Sequence, residues 1–472
     1  MKMTMKSLLL IPVLALLAAC GGGGGSDSSS TPSTTTPTLQ SIALTPANQT
    51  IPVGTTLQLT ATGTYSDGKT AVLKDNLTWS VKGSNATVAT TGLVTTKVVG
   101  SETITATSGS ISGSTAITIT NPWDSVAAGG NQTLALKRDG TIWGWGSNGW
   151  GQLGDGSTTD QNKPVAVSGG VNTWKQVASG EFHTVALRAD GSLWAWGFNQ
   201  NGQLGTGTTD SKPVPTLIGT SKNWVFVAAG KAHTLAIDKS GLLWAWGRNF
   251  NGQLGDGTTV DKLVPTKIGT FTNWKMVSAG ATHSIGVRAD GSLYAWGGNA
   301  SGQLGNGGLV DLTAPTKVGT STWVSAAAGG AHTLAIRADG ILFAWGSNGS
   351  GQLGNNGSGN ATAPTQITSD TNWAAVAAGN MHSLAVKADG TLWSWGSNTD
   401  GQLGSGNNLD SGAPIQVGNA TIWKGVSAGI SHSFGVQTDG TLWGWGRSVE
   451  GQQGNGSSGS TAADVVVPTA LQ

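Results

Sequence analysis

The chain has 472 residues, of which only 10% are charged, and its formal net charge at pH 7 is +1. That balance supplies no basic field to attract nucleic acid, and a single cysteine, Cys20, leaves no internal disulfide to form. Glycine (75 residues) and tryptophan (21 residues) are abundant but recur at regular offsets, so they read as the turns and core of a repeated unit rather than as a low-complexity segment.

In chain order, Lys2 and Lys6 precede an apolar run from Leu8 to Leu17 that ends in "LAAC". A basic start, a short apolar stretch and small residues read as a secretory signal. The run is shorter than the roughly 20 residues a spanning helix needs. Its ending resembles a bacterial lipoprotein signal. The resemblance implies cleavage before Cys20, lipid on the Cys20 sulfur and a place in the cell envelope, with the lipid as the chain's one membrane contact. Gly21 follows rather than Asp, which in a Gram-negative cell implies the outer membrane. Residues 21–38, "GGGGGSDSSSTPSTTTPT", have nothing to bury and read as a flexible tether. Fully stretched, it would reach about 60 Å at roughly 3.3 Å per residue.

Residues 39–121 change texture. Short runs such as "LQSIALTP", "LTWSVKG", "ETITATSG" and "STAITIT" alternate apolar and polar positions between glycine, proline and Asp-Gly turns. That pattern predicts half-buried antiparallel strands packed as a small sandwich, with Trp79 in its core. The segment resembles a bacterial immunoglobulin-like domain of the kind found in surface adhesins, carried by "SIALTPANQTIPVG", "ATGTYSDG", "LTWSV" and "GLVTT". The resemblance implies a spacer.

From residue 122 to 472 one unit recurs seven times. The stretch "HTLAIDKSGLLWAWGRNFNGQLG" begins at His233, and near-copies begin at His183, His283, His332, His382 and His432, with Gln132 in the histidine place of the first copy; the spacing is 49 to 51 residues. Such a period means a solenoid, a propeller or an array. Each unit opens at a tryptophan (Trp123, Trp174, Trp224, Trp274, Trp323, Trp373, Trp423). A "GxxH" corner, a second strand, an Asp-Gly turn, a "WAWG" strand, a "GxNxxGQLG" stretch and a proline-marked strand follow. The Asp-Gly pair predicts a two-residue hairpin with both central residues at positive φ; only the third unit departs, with Ser240-Gly241. Four strands in each of seven units predict a closed ring of sheets. The units resemble the regulator of chromosome condensation repeat through "GxxHT", "DGxLWAWG" and "GxNxxGQLG", and that family folds as a seven-bladed β-propeller. The expected fold class is therefore all-β: a seven-bladed β-propeller preceded by a small immunoglobulin-like β-sandwich. The strand "VVVPTALQ" at the C-terminus reads as left over, and is expected to complete the first blade and lock the ring.

Repetition also bears on chemistry, because a catalytic centre needs one set of unlike groups. The six histidines read as corner residues bonding backbone. The paired aromatics, such as Trp194 and Trp196, lie two apart and so share a sheet face, packing between blades. No Cys/His spacing suits zinc, and no nucleophile–base pair or phosphate loop stands out, so no metal, cofactor or enzymatic activity is expected.

Specific function should then lie where the units differ. The corners and the "GxNxxGQLG" stretches share one end of the ring. There the first three units place Trp150, Glu181, Phe182, Phe198, Lys231, Arg248 and Phe250, whereas the middle units place mostly Gly, Ala, Ser and Thr. Clustered exposed aromatics and arginine mark interaction surfaces. The expected function is a monomeric, envelope-anchored lipoprotein that binds a protein through this face. Alternatives are a carbohydrate or cell-wall adhesin, and an inhibitor of a periplasmic or secreted hydrolase, since the repeats resemble those of a β-lactamase inhibitory protein. Guanine-nucleotide exchange does not fit an exported chain.

Overall fold

A computed structural model describes residues 36–120 and 122–471. Cys20, the expected lipidation position, lies outside the described residues, as does nearly all of the 21–38 stretch. Among the described residues all regular structure is β-strand.

The strands between Leu39 and Thr120 form sheets of three, four and three strands. The long pair Gly100–Ser108 and Ile111–Thr120 is antiparallel, and Gln49–Pro52 adds to it in parallel. Alternation along Ile111–Thr120 buries Thr115, Ile117 and Ile119 and exposes the residues between. Two apolar clusters result, one around Val94, Ile104 and Ile117, the other around Ile42, Leu44 and Ala106; Trp79, half-buried, packs against both.

Seven antiparallel four-stranded sheets follow, each built from four consecutive strands. They span 123–166, 174–217, 224–268, 274–317, 323–366, 373–416 and 423–470 and are called blades one to seven. In blade two the order is Trp174–Ser179, His183–Arg188, Leu193–Gly197 and Lys212–Leu217. The second strand is buried from His183 to Leu187 because sheets cover both its faces. The outer strand is only partly covered, which suits an edge and tolerates its prolines.

Two expectations are corrected here. The strand Val465–Ala470 pairs with Leu442–Gly446 of its own blade, not with blade one. Each unit already contains its four strands in chain order, so none is left over for exchange. The hairpin turn also differs from expectation: at Asp139-Gly140 only Gly140 has positive φ (80°), and its N–H donates to the Lys137 carbonyl at 3.0 Å. This is a three-residue connection, a type I turn followed by a left-handed glycine, and Ser240-Gly241 satisfies it as well because the requirement falls on the glycine (Gly241, φ 72°).

What closes the ring is a set of circular hydrogen-bond belts. At the corners, a backbone N–H of each blade donates to a carbonyl of the next: Gly130 to Gly180, Glu181 to Lys231, Lys231 to Gly280, Ala281 to Gly329, Gly330 to Gly379, Asn380 to Gly429, and Ile430 back to Gly130, all at 3.0–3.3 Å. A second belt joins each "GQLG" stretch to the following blade. The Gln152 carbonyl accepts from the Trp196 indole Nε1 at 2.9 Å and from the Thr184 hydroxyl at 2.8 Å. The same pair of bonds recurs around the ring and ends with the Gln452 carbonyl accepting from Trp145 and Thr133 of blade one. Gly154 must lack a side chain here, since a β-carbon would lie 2.6 Å from the Trp196 indole nitrogen.

Candidate functional site

The histidines form a third belt. Burial of each ring is complete. Each Nε2 meets the hydroxyl of the next blade's Thr or Ser: His183 with Thr234, His233 with Ser284, His283 with Thr333, His332 with Ser383, His382 with Ser433 and His432 with Thr133, at 2.9–3.1 Å. The expectation that they bond backbone is thereby corrected. Since each hydroxyl already donates to a glutamine carbonyl, it accepts from the imidazole, which places the ring proton on Nε2. Nδ1 has no partner. Burial pushes the imidazoles far below their ordinary value, to about 3 for His183, His233, His283 and His382 and about 4 for His332 and His432. Neutral, inaccessible and spaced one per blade, they are framework. In blade one Gln132 takes the histidine place and also bonds across to the next blade, but to the Ser179 hydroxyl and the Gly180 carbonyl, at 3.0 and 2.8 Å, rather than to Thr184.

The tryptophan pairs are also framework. Trp194 and Trp196 both pack on Trp174, with ring centroids 6.2 and 5.9 Å away. Trp196 is fully buried in a cluster that includes Leu134 and Leu136 of blade one, while Trp194 is only partly covered.

The register Gly197 opposite His183 confirms that corner and "GxNxxGQLG" stretch lie at the same end of each blade. At that end the structure gathers three of the candidate residues across two blades. Trp150 stacks on Phe198 (4.7 Å) and Phe198 on Phe182 (6.3 Å), and Trp150 stays 44% exposed. Two more, Glu181 and Lys231, form an ion pair of 3.1 Å. Both line a central channel of about 460 Å³, walled by residues such as Ala178, Ala228, Val277 and Ser278 from the inner strands. Arg248 and Phe250 stand apart. Phe250 is 72% exposed, and among the described residues neither makes a ring contact or ion pair with that group. The counterparts of the candidate residues in blades four and five are small, whereas blade six places Asn380, Met381 and Asp400 there, Met381 being exposed.

One feature escaped the sequence reading. The second strand ends in a cation in five blades (Lys137, Arg188, Arg288, Arg337, Lys387) but in Asp238 in blade three. A cavity of about 330 Å³ lies beside it. The signal was available as a charge reversal at one repeat position.

Closed rings of four-stranded units joined through glutamine carbonyls define a β-propeller built from one repeated sequence. The chain belongs to the RCC1-like domain family, which matches residues 64–370. The regulator of chromosome condensation (RCC1) repeat matches again at 389–436, and in a second form at 373–402 and 423–452. The match from residue 64 begins ahead of the first blade, whose opening strand starts at Trp123. Among solved structures, the chain is similar to Prp20p of Saccharomyces cerevisiae, with TM-score 0.64 and 25% identity over 72% of this chain and 87% of that one. Among curated proteins, it is 54% identical over 84 residues to ice-binding protein 1 of Shewanella frigidimarina, covering 18% of this chain and 9% of that protein. It is 38% identical over 96 residues to the ultraviolet-B receptor UVR8 of Arabidopsis thaliana, covering 19% and 21%. The chain thus spans less than a quarter of either curated relative.

Proposed function

We propose that this protein is a non-enzymatic binding module of the cell envelope. In this reading it is held to a membrane by lipid on Cys20 and presents its corner face to a protein partner. Residues 39–121 act as an immunoglobulin-like spacer. The observation that carries the reading is the aromatic group Trp150–Phe198–Phe182, with Trp150 exposed, and exposed Phe250 on the next blade, at places where blades four and five carry only small residues. On this face the repeated histidines, inner tryptophans and glutamine carbonyls are buried in the belts that hold the ring, so the unrepeated side chains are what remains there to give specificity. The family likeness supports a protein as partner: the Prp20p structure is described with its binding to Gsp1p and histones.

The test is in-cell cross-linking followed by affinity capture, comparing wild type with the Trp150→Ala, Phe250→Ala double variant. Capture of the principal partner should fall at least about tenfold, the range of a hot-spot loss, while the melting temperature moves by less than about 4 °C, as expected for roughly 1 kcal/mol in a domain this large. Unchanged capture refutes the face. If the same substitutions instead abolish retention on a glycan array, the ligand is a carbohydrate.

A further inference from the structure

We infer that blade three carries a binding pocket for an organic cation of lysine or arginine head size. The template for the ligand lies in the sister blades. In blade one the Lys137 ammonium sits 4.7 Å from the Trp123 ring and 4.3 Å from the Trp143 ring. In blade two the Arg188 guanidinium sits 4.7 Å from Trp174 and 3.9 Å from Trp194. In blade six Lys387 lies 4.8 Å from Trp373 and 4.2 Å from Trp393. Each cation sits against two indoles, which in blades two and six meet edge to face.

Blade three keeps both indoles, Trp224 and Trp244, at 5.7 Å and 80°. It replaces the cation with Asp238, and the cavity of about 330 Å³ opens there, lined by Trp224, Trp244, Asp238, Asn223, Ile218 and Pro265. Two aromatic faces and a carboxylate are the groups that recognise an ammonium or guanidinium. The neighbouring lysines do not occupy it. Lys222 pairs with Asp190 at 3.0 Å, Lys239 donates to the Lys222 carbonyl, and Lys267, opposite Trp244 on the outer strand, does not line the cavity.

Asp238 also has a structural task. Its Oδ1 accepts from the Ser240 and Leu242 N–H groups and its Oδ2 from the Trp244 Nε1. In blade two those tasks fall to Asp190 and Ser192. A carboxylate oxygen with one bond retains acceptor capacity, so Oδ2 can still meet a cation. The same comparison supplies a variant that keeps the fold. Asp238→Arg with Ser240→Asp and Leu242→Ser rebuilds the blade-two arrangement, restoring cap, hydroxyl and built-in cation together.

The experiment titrates the full chain with the blocked amino acids N-acetyl-lysine and N-acetyl-arginine methylamide. Their neutral counterparts from norleucine and citrulline are run in parallel, and the indole N–H resonance of Trp244 is followed. Both cations should bind with millimolar or tighter Kd, at least about tenfold more tightly than the neutral pair, and the triple variant should lose that binding while melting no lower than wild type. A butylammonium arm identifies the source: binding equal to the lysine probe supports a small free amine, and weaker binding supports a side chain borne on a peptide. Equal affinity for neutral probes, no saturation by about 20 mM, or undiminished binding by the triple variant overturns the proposal.

Discussion

Acid should unfold the propeller well above the pH at which carboxylates titrate. Six imidazoles are buried and neutral, with values pushed by burial to about 3 or 4, against about 6.5 in an unfolded chain. Between those values the unfolded chain holds protons that the folded ring does not. Stability is therefore fully present above about pH 7 and falls as pH drops through 6.5, because unfolding takes up protons. At pH 5 each histidine favours the unfolded state by about 2 kcal/mol relative to pH 7, so six together amount to about 11 kcal/mol. That is comparable to the whole stability of a typical domain. Carboxylates blur the window little: Asp464, raised by burial, is one group acting in the opposite direction. Asp190, Asp290 and Asp389 are held below their usual range, chiefly by the hydroxyls of Ser192, Ser292 and Thr391, and their contributions are lost only at lower pH.

The assay is urea unfolding at intervals from pH 7 to 5. The slope of stability against pH should approach about 8 kcal/mol per unit near pH 5, the signature of six protons taken up. Blade one suggests a control, because Gln132 occupies the histidine place there and is buried and bonded across to blade two. His183→Gln should fold and reduce the uptake by one proton. An uptake below about three protons, or no change in the glutamine variant, would refute the assignment of these rings as neutral and sealed.

The belts make further expectations. Trp196→Ala removes a fully buried indole and its bond to the Gln152 carbonyl, and should cost about 4–5 kcal/mol in urea unfolding. Gly180→Ala would drive a β-carbon into the His183 ring and the Gly230 carbonyl; a loss of at least about 2 kcal/mol is expected from overpacking, whereas Gly219→Ala, with open space but φ of 58°, should cost only about 1 kcal/mol of backbone strain. Deleting residues 465–472 strips blade seven of its outer strand while leaving the belts from Gln452, His432 and Ile430 to blade one intact. The truncated chain should remain cooperatively folded with a lower melting point, and wholesale loss of β-structure by circular dichroism would mean that the tail closes the ring after all.

Which parts of this were legible beforehand depends on whether a feature repeats along the chain or across it. The blades were legible because every strand recurs seven times, and the shared end of corner and stretch followed from strand order alone. The imidazole's partner was also written in the sequence: the residue after each histidine, and after Gln132, is always Thr or Ser. That hydroxyl matters only through the blade before it, and such cross-blade pairing has no local signature. The same holds for the aromatic group. Trp150 and Phe198 lie 48 positions apart yet stack at 4.7 Å, because the stretch of one blade leans on the next, as the Gln152 carbonyl's bonds to Thr184 and Trp196 require. Phe250 does not repeat this arrangement: it stands one place earlier, where blade one has Gly149, and blade four puts Gly298 and Thr282 where blade two has Phe198 and Phe182, so it stands 72% exposed. In the proposed binding role the specificity unit on this face would thus be a pair of adjacent blades, and substitutions meant to retarget it should be made on both members of a pair at once.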